Sequence, residues 1–144
     1  MAERAGITVQ GLVHWAIPVN DLEESRRFYT GVLGMEDRGP VGANMRCVRF
    51  GETDVLLCRR EQAQDPSAPR SDSVHIAFRV STEDFERATA HMREWGVDVK
   101  RPNGPLDTIQ GDVEHRRVGV FTGRSLYFND PSGNRLELNV TSFS

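Results

Sequence analysis

Two histidines and one glutamate carry the chemistry that this sequence suggests. His14 lies in the segment Leu12–Val19, His75 in Ser73–Val80 and Glu137 in Arg135–Val140. All three segments alternate at the period of a β-strand, and in each the candidate residue sits opposite the apolar set. Val13, Trp15, Ile17 and Val19 oppose His14 and Ala16. Val74, Ile76, Phe78 and Val80 oppose His75, Ala77 and Arg79, and Leu136, Leu138 and Val140 oppose Arg135, Glu137 and Asn139. Taken singly, Glu137 reads as part of an ordinary wet strand face and each histidine as a satisfied structural residue. The spacings of 61 and 62 residues change that reading, because they place the three at related points of a duplicated unit. Two imidazoles and a carboxylate on one concave wall match a facial triad for a divalent ion such as Fe(II), with positions left for water, oxygen or substrate.

The elements that must position these residues repeat. Val13-His14-Xaa-Ala16 recurs as Val74-His75-Xaa-Ala77, and Gly34 pairs with Gly96 as a helix stop. In the first copy Asp21 is a helix N-cap with Glu24 three residues on, and Leu22, Tyr29 and Val32 or Leu33 face inward. In the second, Ser81 or Thr82 caps a helix whose Phe85, Ala88, Met92 and Trp95 form one stripe, with His91 at the surface. β-rich runs follow at Ala43–Phe50 and Asp54–Arg59, and further strands are expected at 36–39 and 97–100. The chain ends in two strands, 125–129 and 135–140, joined by Asp130-Pro-Ser-Gly-Asn134, a turn in which Gly133 supplies a positive φ. The expectation is one α+β domain over residues 1–144, built from two βαβββ modules at about 11–60 and 73–141 with a polar, proline-bearing linker at 61–72. The second copy carries an insertion, 101–123, of the length and composition of a pocket wall or lid.

Composition narrows the partners. At 144 residues, 38% hydrophobic and 27% charged, the chain is an ordinary globular size and balance. A net charge of -3 argues against nucleic acid or an anionic membrane as partner. No apolar run reaches the length of a membrane span, and Met1–Gly6 has no secretory pattern. Cys47 and Cys58 lack metal-ligand spacing and read as reduced core thiols of a cytoplasmic protein.

Three stretches together resemble the vicinal oxygen chelate superfamily, the group that includes glyoxalase I, extradiol dioxygenases, fosfomycin-resistance enzymes and bleomycin-binding proteins. They are Val13–Leu22 leading to Phe28–Gly34, then Val74–Phe78, then Tyr127–Glu137. The resemblance implies paired βαβββ modules that form a curved mixed sheet around a metal cleft, with His14, His75 and Glu137 as ligands. Fe2+ is the favoured ion, and Mn2+, Zn2+ or Ni2+ also suit the set. It further implies a small oxygen-rich substrate and a homodimer in which one subunit's first module meets the other's second.

Departures from that family's patterns sort its reactions. Glyoxalase-like members carry a fourth ligand in the last strand of the first module, where this chain has Leu56 or Leu57, so an isomerase loses ground. Fosfomycin-modifying members have a threonine where this chain has Ala16, although Gly123–Phe128 is similar to their last module. Extradiol dioxygenases have a tyrosine matching Tyr127, and they need an acid–base histidine for which His115 is the candidate. Ala16, Arg79, Ser125 and Arg117 are candidate substrate contacts. The leading expectation is extradiol-type oxygenation. The alternatives are epoxide opening of the fosfomycin type, a glyoxalase-like reaction, and metal-free drug binding.

Overall fold

The computed structural model of the chain describes residues 6–68, 75–101, 104–105 and 123–141. The first module runs β1 (His14–Val19), α1 (Leu22–Arg27), β2 (Glu36–Val41), β3 (Met45–Phe50) and β4 (Thr53–Arg59). Past Arg27 the helix widens into a π-type turn over Phe28–Val32. The second module runs β5 (His75–Arg79), α2 (Thr82–Glu94), β6 (Val99–Arg101), β7 (Gly104–Pro105), β8 (Gly123–Asn129) and β9 (Arg135–Thr141). Each module has its own mixed sheet, ordered β1-β4-β3-β2 and β5-β9-β8-β6-β7. In both, the histidine-bearing strand lies at the edge and runs parallel to the last strand of its module. The expected duplication and its extra strands are therefore present.

Both helices start as their caps dictate. Asp21 Oδ1 accepts from Glu24 N at 2.8 Å, and Ser81 Oγ accepts from Asp84 N at 3.1 Å. Phe85, Ala88 and Met92 line the buried stripe of α2. They meet Phe28, Tyr29 and Val32, together with Ile17, Val19, Val55 and Leu57 from one sheet and Leu126, Phe128, Leu136 and Leu138 from the other. Both modules thus turn their apolar faces into one shared core, and His14 and His75 lie exposed on the opposite side of their edge strands. Among the described residues, no helix is long and apolar enough to cross a membrane.

Three inward or outward assignments from the pattern need correction. Trp95 is 47% exposed, because the helix has ended there and its ring lies across Gly31 instead of continuing the buried stripe. His91 is half-buried, with Nε2 3.0 Å from Val32 O, so it tethers α2 to the first module. Val13 precedes the strand and is exposed.

The turn between β8 and β9 is the joint of the two modules. Asp130, 3% exposed, accepts from Tyr29 Oη at 2.7 Å, Ser132 N at 2.9 Å, and Asn134 N and Nδ2 at 2.8 Å each. Ser132 Oγ accepts from Asn20 N at 2.8 Å, and Asn134 Nδ2 donates to Pro18 O at 2.7 Å. Gly133 has φ +84°, and a Cβ there would lie 2.7 Å from Pro66 O. Positive-φ strain and a backbone clash act together, so Gly133→Ala is expected to cost about 2 kcal/mol or more in urea unfolding.

Burial first, then the charge and hydrogen bond of Asp130, hold the Tyr29 phenol well above its ordinary range. The folded state therefore keeps a proton that the unfolded chain releases once pH passes about 10, and stability falls as pH rises beyond that point. Tyr29→Phe is expected to lose about 1 kcal/mol at neutral pH and to flatten this alkaline decline. Urea midpoints between pH 8 and 11 measure both effects.

Candidate metal centre

β5 and β9 pair in parallel, with Ala77 opposite Glu137 and His75 opposite Arg135. That register brings His75 Nε2 within 3.4 Å of Glu137 Oε1. The imidazole is half exposed, whereas the Glu137 carboxylate is buried even though it lies on the face away from the core. Its second oxygen, Oε2, accepts from Ser125 Oγ at 2.7 Å, and Ser125 Oγ accepts from Asn139 Nδ2 at 2.9 Å. Burying a carboxylate is costly without partners, and a carboxylate against an imidazole is a nitrogen–oxygen donor pair suited to a divalent first-row cation. The residues present fit such an ion.

His14 does not join this pair within one chain. Among the described residues, no three of His, Cys, Asp and Glu come together as a metal-binding group. His14 and Ala16 lie exposed on the edge strand of the other sheet, as His75 and Ala77 do on theirs. Trp15 of β1 and Phe78 of β5 stack with ring centroids 6.2 Å apart on the core side, yet His14 does not complete a ligand group with His75 and Glu137.

The register also decides which leucine occupies the position of a fourth ligand. Ala16 pairs with Leu56 in the first module as Ala77 pairs with Glu137 in the second. Leu56 is thus the structural counterpart of Glu137, while Leu57 belongs to the core. The first module therefore offers no oxygen at the point where the second offers a carboxylate.

Tyr127 pairs with Glu137 across β8 and β9 and is buried. Burial, followed by the Glu137 charge, raises its phenol above the ordinary value, although a hydrogen bond to Ser125 opposes the shift. The group is a neutral hydrogen-bond donor near pH 7. Burial likewise pushes the Cys47 and Cys58 thiols up, which removes them as ready nucleophiles. Arg79 stands on β5 one pleat beyond Ala77, paired with Asn139. His115 and Arg117 lie outside the described residues. A cleft of 750 Å³ opens between the modules, lined in part by Trp15, Phe50, Phe78, Met92 and Arg79. Neither His75 nor Glu137 lines it.

Sequence reasoning passed over Asn139 and Asp130. Asn139 stood on the correct face, yet strand alternation does not tell a buried polar residue from a wet one. Asp130 read as a turn former only, and its partner Tyr29 is 101 residues away.

Comparison with known proteins supplies the lineage. Glutathione transferase FosA of Serratia marcescens is 32% identical over 138 residues, covering 94% of this chain and 84% of that protein. The oxidase ChaP-H2 matches in structure with TM-score 0.69 and 26% identity, covering 96% of this chain and 98% of that one. A mutant of the fosfomycin resistance protein FosX from Listeria monocytogenes, solved with Mn(II) and 1S,2S-dihydroxypropylphosphonic acid, has TM-score 0.67 at 20% identity. The match covers 94% of this chain and 95% of that one. Residues 11–138 match the profile of the Glyoxalase/Bleomycin resistance protein/Dioxygenase superfamily, and the chain belongs to that family.

Proposed function

We propose that this protein is a divalent-metal enzyme that opens the epoxide of a small phosphonate of the fosfomycin type, with a thiol as nucleophile. The observation that carries the reading is the 32% identity to a glutathione transferase through 94% of the chain, coupled with the His75–Glu137 pair at 3.4 Å. This order reverses the expectation from sequence alone, which put extradiol oxygenation and Fe2+ first. Mn2+ becomes the first ion to test, since a FosX relative of the same fold was solved with it.

His75 and Glu137 of one subunit and His14 of a second would hold the ion. When bound, it supplies Lewis acidity to the epoxide oxygen. The remaining work belongs to the chain. Glu137 offsets cationic charge from a buried position. Tyr127, kept protonated, donates to an anionic oxygen of the substrate. Arg79, on the face of His75, supplies positive charge for the phosphonate. In the reaction the thiol sulfur forms a bond to an epoxide carbon, that carbon's bond to oxygen breaks, and the alkoxide takes up the proton the thiol gave up. Ala16 contributes no hydroxyl to this grip, so the phosphonate depends more heavily on the second module's polar wall.

A second reading, oxygenation of a chelated substrate, is favoured by the likeness to the oxidase ChaP-H2 at 26% identity and by the place of Tyr127. One set of assays separates the two. Mn2+-loaded protein with fosfomycin and glutathione should yield the thioether adduct, and thiol-free reactions should yield little diol. Catechol consumption by anaerobically Fe2+-loaded protein on admitting oxygen, without fosfomycin turnover, would overturn the proposal.

A further inference from the structure

The buried polar group beside Glu137 has a direction built into it. Asn139 Nδ2 can only donate, and it donates to Ser125 Oγ at 2.9 Å. Ser125 Oγ donates in turn to Glu137 Oε2 at 2.7 Å. Ser125 and Asn139 are each 2% exposed, and they sit opposite one another across β8 and β9. Glu137 Oε2 is thereby tied to the protein, while Oε1 is the atom 3.4 Å from His75 Nε2.

The duplication supplies an internal control. Aligning β1 with β5 through their histidines, the registers place Met45 where Ser125 stands, Leu56 where Glu137 stands and Cys58 where Asn139 stands. Where the carboxylate gives way to leucine, both polar neighbours give way to sulfur-bearing side chains as well. A Ser–Asn pair that served only to join the last two strands would have no reason to track the carboxylate.

We propose that Asn139 and Ser125 form a serial positioning relay that holds Glu137 for one-oxygen ligation through Oε1. This rests on the proposed metal centre and extends it to two residues that would not touch the ion. Outer-shell hydrogen bonds of this kind fix ligand orientation, and losing them weakens metal binding by about 10- to 100-fold.

The test is Mn2+ binding to the full-length protein, followed by calorimetry and by the electron paramagnetic resonance of unbound Mn2+. Ser125→Ala is expected to weaken Mn2+ by at least about tenfold, and Asn139→Leu by a smaller factor. Because the relay is serial, the double variant should bind no more weakly than Ser125→Ala alone. Asn139→Asp is a sharper probe. An added carboxylate would tighten cation binding by charge alone, but it would draw the Ser125 proton away from Glu137, so the relay predicts weaker binding. Thermal unfolding without metal separates these effects from misfolding. If wild type binds Mn2+ and Glu137→Gln does not, while Ser125→Ala binds within about twofold of wild type, the relay is refuted and the centre stands. If wild type itself takes up no stoichiometric Mn2+, the metal centre fails first.

Discussion

Replacing Glu137 with glutamine is expected to abolish stoichiometric Mn2+ binding while leaving the metal-free fold intact. The variant keeps the size of the side chain and an oxygen able to accept from Ser125. It removes the charge that an outer shell can only orient, so the loss should exceed the roughly 100-fold upper range for outer-shell partners. In the metal-free protein the same change takes a carboxylate, 6% exposed, out of a desolvated position. Metal-free thermal stability should therefore hold steady or rise. A paired measurement of Mn2+ affinity and metal-free melting reads this opposition directly. Loss of both together would mean that Glu137 is an ordinary structural residue.

Asp130→Ala should show the reverse signature, with a large loss of stability. Its carboxylate gathers the amides of its own turn and the Tyr29 hydroxyl from the first module. Truncation leaves Tyr29, fully buried, with an unpaired hydroxyl and frees the turn that grips Pro18 and Asn20. Unsatisfied buried groups cost about 1–3 kcal/mol each, so a total of about 3 kcal/mol or more is expected. Asp130→Asn retains one acceptor and should lose about half as much. Urea unfolding of the three proteins at neutral pH gives the order, and an Asp130→Ala protein as stable as wild type would remove the turn from its role as the joint.

Much of the fold was legible because strand alternation and duplication are local signals. The period-two runs around His14 and His75, the caps Asp21 and Ser81, and the Asp130–Asn134 turn all carry their instructions within a few residues. The same alternation placed His75 and Glu137 on one face, and the parallel register of β5 with β9 brought them together. What the sequence could not carry was depth and partnership. Glu137 and Asn139 look like a wet strand face until the third dimension buries them. The choice between Leu56 and Leu57 needed the β1–β4 register, which no single strand encodes. Trp95 followed the helical stripe in sequence, yet the cap ended the helix and left it half exposed. Equal placement in two modules also suggested one site, whereas within one chain the described residues bring only His75 and Glu137 together.

That separation makes the central claim testable by subunit exchange. In the proposed symmetric dimer, His14→Ala and Glu137→Gln would each break both sites. Mixed and re-equilibrated, half of the dimers are hybrids, each holding one site with His14 from one subunit and His75 with Glu137 from the other. The account predicts recovery of about a quarter of the wild-type Mn2+ sites from two proteins that bind none alone. If the mixture forms hybrid dimers and still binds no Mn2+, the three residues do not share an ion between subunits, and the account is contradicted.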